Sequence, residues 1–428
     1  MTDSLQRRQF LGQTALGAVS LAALNSAVAK GEDETPRKVV VGVMGLSRGR
    51  SLATQFAQRP EVEVRYTCDT DSTRAETGAS AVEGTGAPRP KAIGDFHEIL
   101  NDPEVDALIC AAPNHWHAPA TILACAAAKH VYVEKPCSHN PYEGEMMVQA
   151  ARKHNRAVQM GAQRRSSGSV RKAIDLLHSG AIGRVYAAAA AHTSDRVSIG
   201  TCEPAEVPET LDYELWQGPA PRTPYMSNRV PYKWHWFWHW GNGELGNNGV
   251  HSLDLCRFGL NVDYPIKVTS TGGRYAYQDD QQTADTHTVG FEFPDRKMIT
   301  WEGRSCNRHN APFASFFGEK GTIVIDGDGG FIQYDEKDKE VLVESKGSRG
   351  DTEHIDNFLA AIRNNDPMSL YGEIEGGHKS TLLCHLGNIA HRTGRTLNCN
   401  PENGHIIGDE AAMKYWKREY EPGWEPQV

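Results

Sequence analysis

A glycine-containing turn near the start of the sequence has the residue types of a phosphate-binding loop. It follows a β-branched run and reads Gly42-Val43-Met44-Gly45-Leu46-Ser47-Arg48-Gly49-Arg50. Backbone N–H groups at such a turn can approach a pyrophosphate at the N-terminus of the following helix. Gly45 fills the first place of G-x-G-x-x-G, but Ser47 and Arg50 replace the other two glycines, and Gly49 is displaced by one. A β–α turn without a ligand is the alternative.

An aspartate at the end of the second β-branched run supports nucleotide binding. Asp69 lies 24 residues after Gly45. A carboxylate there can accept hydrogen bonds from both ribose hydroxyls of NAD and would repel the 2′-phosphate of NADP. Arg48 and Arg74 oppose that preference because either side chain could reach a phosphate. We therefore expect NAD or NADP, with NAD slightly favoured by Asp69; a solvated loop aspartate is the alternative.

Short apolar runs that alternate with helix-length segments must position these residues. The strands predicted within residues 36–161 are Val39 to Val43, Val62 to Thr67, Ala107 to Ala111, Val131 to Val133 and Ala157 to Met160. The predicted helices are Ser51 to Gln58, Ser72 to Val82, Ala118 to Ala128 and Pro141 to His154. Continuous apolar strands separated by helices indicate a parallel sheet covered on both faces. This half is expected to be a doubly wound α/β domain.

The pattern changes after Gly161. Strands are predicted at Val185 to His192, Ile266 to Tyr277, Thr286 to Phe293, Lys297 to Gly303, Gly321 to Asp326 and Phe331 to Tyr334. Helices are predicted at Ser169 to Leu177, His354 to Asn364 and Glu373 to Arg392. Successive strands without intervening helices indicate a largely antiparallel sheet. We expect an α+β substrate and oligomerisation domain over residues 162–350, and C-terminal helices over residues 351–428 that complete the fold.

Two segments after predicted strands resemble the Gfo/Idh/MocA family of NAD(P)-dependent sugar oxidoreductases. Residues 111–117, Ala-Ala-Pro-Asn-His-Trp-His, are similar to T-P-N-x-x-H, and residues 129–136, Lys-His-Val-Tyr-Val-Glu-Lys-Pro, to G-K-H-V-x-x-E-K-P. The resemblance covers nearly all of the chain after residue 36 and implies a Rossmann domain, a tightly bound nicotinamide cofactor and a homo-oligomer. The cofactor contacts that it implies, together with the glycine turn, are Gly45, Ser47, Arg48, Gly49, Asp69, Pro113, Asn114, His117, Glu134, Lys135, Pro136 and Gln163.

The resemblance also implies the catalytic residues. Oxidising an alcohol removes a hydride from carbon while the hydroxyl proton departs, and a fixed cation such as Lys135 stabilises the developing negative charge on oxygen. In the family pattern D-x-G-x-H the histidine is the acid/base, and His251 matches it. Asn247 stands at the aspartate position, where an amide can orient a group but cannot stabilise an imidazolium as a carboxylate does. Glu244 or Asp254 is the alternative acid.

Aromatic and basic residues of the second half are candidates for binding a sugar. Four of the nine tryptophans alternate in Trp234-His235-Trp236-Phe237-Trp238-His239-Trp240, so an extended chain would put them on one face. Trp234 and Trp236 are the expected sugar platform, with an aromatic core or interface as the alternative. Arg164, at the domain junction, is a further substrate-binding candidate. His235 and His239 lack a carboxylate or thiolate partner, and no metal site is expected.

Composition excludes several other classes of protein. The 428 residues include 54 acidic and 45 basic side chains, a net charge of −9 without a basic stripe, which argues against nucleic acid as a partner. The nine cysteines show no C-x-x-C spacing and predict no disulfide framework.

Residues 1–29 contain Arg7-Arg8-Gln9-Phe10-Leu11 and end in Ala27-Val28-Ala29, which resembles a twin-arginine export signal. We expect recognition by the twin-arginine translocase, a periplasmic or exported location, and no stable membrane insertion after cleavage.

Three functions fit these observations. The first is an exported oxidoreductase that transfers a hydride between a retained nicotinamide cofactor and a hydroxyl of a sugar, polyol or glycoside. The second is a redox-neutral, NAD-dependent glycoside hydrolase or lyase that works through a transient ketone, for which Asn247 leaves room. The third is a carbohydrate-binding protein without turnover, suggested by Ser47, Arg50 and Asn247. They are ranked in that order.

Overall fold

The first half of the chain folds around a parallel sheet with the strand order β3-β2-β1-β4-β5-β6. The computed structural model describes residues 37–428, so the proposed export signal lies outside the described residues. The strands are β1 (Val39–Met44), β2 (Val62–Cys68), β3 (Lys91–Ile93), β4 (Ala107–Cys110), β5 (His130–Val133) and β6 (Val158–Met160). The helices are α1 (Arg48–Ala57), α2 (Ser72–Glu83), α3 (His97–Asn101), α4 (Asn114–Ala126) and α5 (Pro141–Lys153). The predicted doubly wound parallel sheet is confirmed.

Several elements of this half differ from the sequence-based prediction, among them β3, α3 and α4. The sequence did not predict β3, because its three residues are too few to show a periodic pattern. Helix α4 begins at Asn114 rather than Ala118, and Pro119 lies inside it. Pro119 is the sixth residue of α4, so its missing N–H leaves the oxygen of His115 without a donor from the helix, and Arg418 Nη2 donates to that oxygen instead at 2.8 Å. Asn114 and His117 therefore lie in the first turn of α4 rather than in a loop.

The second sheet is larger and mostly antiparallel. Its strands are β7 (Val185–Asp195), β8 (Lys267–Gly273), β9 (Thr286–Phe293), β10 (Lys297–Arg304), β11 (Cys306–Asn307), β12 (Ala314–Gly318), β13 (Gly321–Ile325), β14 (Phe331–Asp335), β15 (Glu340–Glu344) and β16 (Leu397–Asn398). They follow the order β15-β14-β13-β12-β7-β10-β9-β8-β16, with β11 beside β7. Among the described strands of this sheet, β7 and β10 are parallel neighbours and the other pairs are antiparallel. The α+β prediction is confirmed, although β11, β12, β15 and β16 were not predicted.

The remaining helices join the two sheets. They are α6 (Gly168–His178), α7 (Tyr213–Gln217), α8 (Val250–Leu260), α9 (Asp351–Arg363), α10 (Ile374–Thr393) and α11 (Glu410–Met413). Helix α9 buries Ile355 and Phe358 in the core of the parallel sheet, where Phe358 meets Phe56 edge to face. Helix α10 packs against α5 of the first half and against α8 and β8 of the second. The late helices thus tie both halves into one body.

The tryptophan run does not have the predicted alternating geometry. Lys233–Trp236 forms a 3₁₀ turn, and Trp234, Trp236, Phe237 and Trp240 are all buried. Because a 3₁₀ turn repeats every three residues, an alternating sequence cannot put its tryptophans on one face there. The prediction of one continuous aromatic face is therefore wrong. These rings instead form a small core with Tyr213 and Trp216.

Candidate active site

A cavity of about 460 Å³ lies between the carboxyl ends of β1, β2, β4 and β5 and the segments that carry Asn247 and His251. The carboxyl edge of an open parallel sheet is where α/β proteins bind nucleotides. The predicted site residues that line the cavity are Gly45, Ser47, Arg48, Asp69, Pro113, Asn114, His117, Glu134, Lys135, Gln163, Arg164, Trp234, Asn247 and His251. Gly49, Pro136 and Trp236 do not line it.

The glycine turn lies so close to its neighbouring strand that a side chain would not fit at its first glycine. Gly45 has a φ of +84°, and a Cβ there would lie 2.5 Å from the carbonyl oxygen of Ala111. Such a turn requires glycine and exposes backbone N–H groups at the start of α1. A Cβ on Gly49 would lie 3.2 Å from the side chain of Val43. Gly49 therefore packs α1 against the sheet, which is the role of the third glycine in G-x-G-x-x-G.

Asp69 is held against the glycine turn by main-chain groups. Its Oδ2 accepts a hydrogen bond from the N–H of Leu46 at 2.7 Å, and its Oδ1 accepts one from the N–H of Asp71 at 3.0 Å. Burial raises the pKa of Asp69, and these donors oppose that change. The carboxylate keeps free lone pairs beside the cavity, as ribose hydroxyls require. The chemistry of the turn and of Asp69 together fits a dinucleotide.

A smaller pocket of about 280 Å³ adjoins the same turn. It is lined by Leu46, Ser47, Arg50, Thr73, Arg74 and Thr77. Two guanidinium groups and three hydroxyl groups are suitable donors for a phosphate. The described residues therefore fit the adenosine end of NAD at Asp69 and offer a place for a 2′-phosphate beside it.

Arg48 and Gln163 belong to one polar network centred on Glu134. Glu134 Oε1 lies 3.3 Å from Arg48 Nε and 3.2 Å from Gln163 Nε2. Arg48 also donates to Asp351 at 2.7 Å, and Gln163 to the hydroxyl of Tyr132 at 2.9 Å. Because two carboxylates already hold Arg48, it contributes less net positive charge to the cavity than a solitary arginine. The predicted role of Arg48 as a cofactor contact stays a prediction.

Lys135 and the second half of the chain meet directly. The Lys135 ammonium donates to the main-chain oxygen of Asn247 at 2.7 Å and to its Oδ1 at 3.1 Å. Burial lowers the pKa of Lys135, while Glu134 and Glu244 act in the opposite direction. The peptide bond between Lys135 and Pro136 is cis. The amide of Asn247 thus fixes the ammonium without neutralising it.

His251 lines the same cavity, in the first turn of α8. Burial lowers its pKa well below the usual value, and the positive charges of Lys135 and Arg164 lower it further. The imidazole is therefore neutral at pH 7 and can accept a proton. Asn247 lies one turn earlier, in the π-helical turn Leu245–Gly249. The cavity brings together all three residues that the sequence predicts to be catalytic.

The two alternative acids have different surroundings. Asp254 faces Arg165, whose Nε and Nη2 each lie 2.8 Å from its oxygens, and it does not line the cavity. It accepts a third hydrogen bond from Ser380 at 2.6 Å. Glu244 is buried close to Lys135 and pairs with Arg196 at 2.6 Å. Asp254 therefore has a structural role, and Glu244, which does not line the cavity either, is the acid whose charge acts on Lys135.

Several cavity residues were not predicted from the sequence. Arg196, Tyr232, His235 and Asn248 line the second half of the cavity, and Trp116 lines the first. The segment after β7 has no periodic pattern, so nothing in the sequence marked Arg196. Trp116 stood inside the quoted family motif but was not assigned a role.

The histidines of the tryptophan run bind main-chain oxygens. His235 Nδ1 lies 2.5 Å from the oxygen of Tyr232, and His239 Nε2 lies 2.6 Å from that of Pro221. Trp234 stacks on His235 with ring centres 3.6 Å apart, at the cavity wall. Within residues 37–428 no group of three or more His, Cys, Asp or Glu side chains could hold a metal ion. All nine cysteines lie in this part of the chain and are free.

The fold and site define an oxidoreductase with an NAD-binding Rossmann domain followed by a second domain that contains the mostly antiparallel sheet. Residues 37–162 match the family model described as oxidoreductase family, NAD-binding Rossmann fold, and residues 194–425 match that of its C-terminal alpha/beta domain. The chain belongs to the Gfo/Idh/MocA oxidoreductase family.

Similar proteins include sugar and polyol oxidoreductases. An uncharacterized oxidoreductase of Streptococcus pneumoniae is 25% identical over 291 residues, 67% of this chain and 68% of that protein. Inositol 2-dehydrogenase of Salmonella typhimurium is 28% identical over 178 residues, 41% of this chain and 51% of that enzyme. The structure of levoglucosan dehydrogenase with NADH and levoglucosan has a TM-score of 0.66 at 18% identity, covering 85% of this chain and 99% of that one. The similarity to levoglucosan dehydrogenase shows that the two proteins share a fold.

Proposed function

We propose that the protein transfers a hydride between a tightly held nicotinamide cofactor and a hydroxyl-bearing carbon of a sugar, polyol or glycoside. The observation that carries the proposal is the meeting of Lys135 with Asn247, beside His251, in the cavity that the Gly45 turn also lines. The names of the inositol and levoglucosan dehydrogenases support this substrate class.

The protein's own residues would handle the oxygen and the proton. When bound, the nicotinamide supplies a hydride acceptor or donor. Lys135 binds the substrate oxygen and stabilises the negative charge that develops on it as the proton leaves. Asn247 holds the ammonium in place through both of its oxygens. His251, neutral at pH 7, takes the hydroxyl proton in the oxidative direction and returns it in the other.

Retention of the cofactor is supported by an arm from the second half. The N–H of Ser72 donates to the oxygen of Thr210, and the N–H of Asp212 donates to that of Thr70, both at 2.9 Å. This arm, residues 208–217, pairs with the loop after Asp69, and its Leu211 and Trp216 line the cavity. These contacts place the arm beside the cavity, where it would hinder the release of a bound dinucleotide. We propose NAD as the preferred form because of Asp69.

Export and oligomerisation remain parts of the proposal. We propose that residues 1–29 direct the folded protein to the twin-arginine translocase and so to the periplasm or beyond, which suits a cofactor inserted before export. Within residues 37–428 no helix is long and apolar enough to span a membrane. Replacement of Arg7 and Arg8 by Lys should keep the protein in the cytoplasm; export of that variant would refute the assignment.

We also propose that the protein forms a homo-oligomer through the second sheet, which light scattering would test.

The redox assignment is tested on the purified protein. Copurified nucleotide is identified by absorbance and mass spectrometry, and a panel of inositols, aldoses and glycosides is screened for a change at 340 nm, also with two sugars together. We expect bound nucleotide, and turnover that falls about 100-fold or more in Lys135→Met while nucleotide remains bound. A preparation that neither carries nor binds a dinucleotide would overturn the assignment.

A redox-neutral glycoside hydrolase or lyase is the second candidate, supported by Asn247 at the usual aspartate position. A hydride would pass from the sugar to the nicotinamide and leave a ketone that acidifies the neighbouring C–H bond, so that a proton and the leaving group are lost. In a hydrolase water then adds to the resulting double bond, and in either case the hydride returns to the ketone. Release of the aglycone without net change in the cofactor's redox state would favour this function. Equal sugar binding and no hydride exchange in both wild type and Lys135→Ala would instead favour a carbohydrate-binding protein without turnover.

A further inference from the structure

A buried arginine–glutamate pair lies beside the reactive lysine and has no part in the proposed mechanism. Arg196 Nε donates to Glu244 Oε2 at 2.6 Å, and its Nη2 donates to Oε1 at 3.3 Å. The Glu244 side chain is 3% exposed, whereas that of Arg196 is 23% exposed and lines the cavity. Glu244 acts on Lys135 as a nearby negative charge. Arg196 of the pair therefore lines the cavity, whereas Glu244 is buried and does not line it.

The carboxylate of Glu244 is held by three hydrogen bonds. Besides Arg196, it accepts a hydrogen bond from Asn248 Nδ2, and the Nε2 of His192 lies 3.4 Å from it. Burial alone would raise the pKa of Glu244, but Arg196 and the other donors lower it below the usual value. Glu244 is thus ionised at neutral pH and neutralises the charge of Arg196. Glu244 does not itself line the cavity.

Arg196 lines the cavity and has hydrogen-bond donors that no protein group within residues 37–428 uses. Its guanidinium lies 4.6 Å from the centre of the Trp236 ring, which limits its movement. Glu244 uses Nε and Nη2, while Nη1 contacts the Tyr232 hydroxyl at 3.4 Å. Each Nη atom carries two N–H groups, so donors remain for a ligand. Trp236, expected from the sequence to contact the sugar, instead supports the residue that faces the cavity.

We infer that Arg196 is a specificity-determining residue that donates hydrogen bonds to a hydroxyl group of the substrate, and that Glu244 adapts it to uncharged sugars. This inference rests on the proposed function and deepens it. An arginine without a counterion would attract a carboxylate or phosphate on the substrate strongly. The pair with Glu244 adds no net charge to the cavity wall, so it favours a neutral hydroxyl over an anionic substituent at that position.

The test compares a neutral pyranoside with the corresponding uronate, using the protein with its cofactor bound. Substrate binding is followed by the fluorescence of the bound reduced nucleotide, and turnover by kcat/KM. Glu244→Gln keeps the shape and removes the charge, so the uronate-to-pyranoside ratio of kcat/KM should rise about tenfold or more. Arg196→Met should raise KM for the pyranoside about tenfold, with kcat and nucleotide affinity changed less than threefold. Glu319→Gln breaks an exposed pair with Arg184 and serves as control.

The possible failures are distinct. If Glu244→Gln changes the ratio less than twofold relative to Glu319→Gln, Glu244 does not set the selectivity. If Arg196→Met leaves KM unchanged, Arg196 does not contact the substrate, and either result overturns the inference. Circular dichroism verifies folding, and Arg196→Met decides alone if Glu244→Gln does not fold. If no sugar changes the nucleotide fluorescence of the wild-type protein, the proposed function fails instead.

Discussion

Replacing Asn247 by aspartate would restore a carboxylate at the position where the family motif has one, next to the reactive lysine. Asn247 Oδ1 lies 3.1 Å from the Lys135 ammonium, so the new charge would act on it directly. A carboxylate favours the protonated form of each neighbouring base. The pKa of Lys135, lowered by burial in the wild type, would therefore rise, and so would that of His251.

The size of the effect follows from that distance. Two unit charges 3.1 Å apart attract by about 5 kcal/mol at an effective dielectric constant of about 20. Desolvation of the new carboxylate offsets much of this, and a hydrogen bond to a charged group contributes a net of about 1.5–3 kcal/mol. Since 1.36 kcal/mol corresponds to one pH unit, the alkaline limb of the rate profile should move up by about one to two pH units.

The direction of change is as informative as its size. Activity that needs the ammonium is lost as pH rises through the pKa of Lys135, so a higher pKa extends activity to higher pH. Activity that needs neutral His251 is lost as pH falls through its pKa, so a higher pKa moves the acidic limb upward as well. The whole kcat/KM profile of Asn247→Asp should therefore shift to higher pH.

The assay is kcat/KM for the best substrate found, measured from pH 5 to 11 with nucleotide saturating. Asn403→Asp is the matched control, because Asn403 is exposed and its side-chain oxygen accepts from the N–H of His405, as an aspartate would. It changes the net charge equally but lies outside the cavity lining. The alkaline limbs of the kcat/KM profiles of the two variants are then compared. If the limb of Asn247→Asp coincides with that of Asn403→Asp or lies at lower pH, the assigned contact between Asn247 and Lys135 is refuted.

Three further outcomes are expected. Asp69→Ser should raise the ratio of kcat/KM with NADP to that with NAD about tenfold or more, and an unchanged ratio would mean that the carboxylate does not select the cofactor. Gly45→Ala should weaken nucleotide binding at least tenfold by titration, whereas Gly86→Ala, at a similar φ but with open space around it, should leave affinity intact. Arg418→Met should lower the free energy of unfolding in urea by about 3–5 kcal/mol, because it leaves buried Glu143 without its cation; adding Glu143→Gln should recover most of the loss.

The sequence predicts five of the six strands of the parallel half, because these five are short runs rich in apolar and β-branched residues between helices. It predicts the second sheet less completely. Strand β12 lies between β7 and β13 and buries Ala314 and Phe316, yet its five residues show no clear alternation and end in a glycine. Its position depends on pairing with distant strands, which local pattern does not specify. The tryptophan run fails for the opposite reason, since a clear local alternation is overridden by a 3₁₀ turn.

In the candidate site, too, the sequence identifies some residues and misses others. Motif residues such as Lys135 and His251 could be found because residue type and spacing carry their chemistry, and their catalytic roles remain predictions. Arg196 could not be found, because its significance comes from Glu244, 48 residues later in the sequence. The interpretation of Arg48 changes for a similar reason, since its partner Asp351 lies 303 residues away. Charge balance in the cavity is a property of the folded chain.

The contacts between the two halves link the position of the reactive lysine to retention of the cofactor. Both oxygens that hold the Lys135 ammonium belong to Asn247 of the second half. The second half also supplies the arm, residues 208–217, that pairs with the loop after Asp69. Any separation of the halves wide enough to release a dinucleotide would also remove the ammonium's partners. This arrangement supports the proposal that the nucleotide stays bound while the sugars exchange.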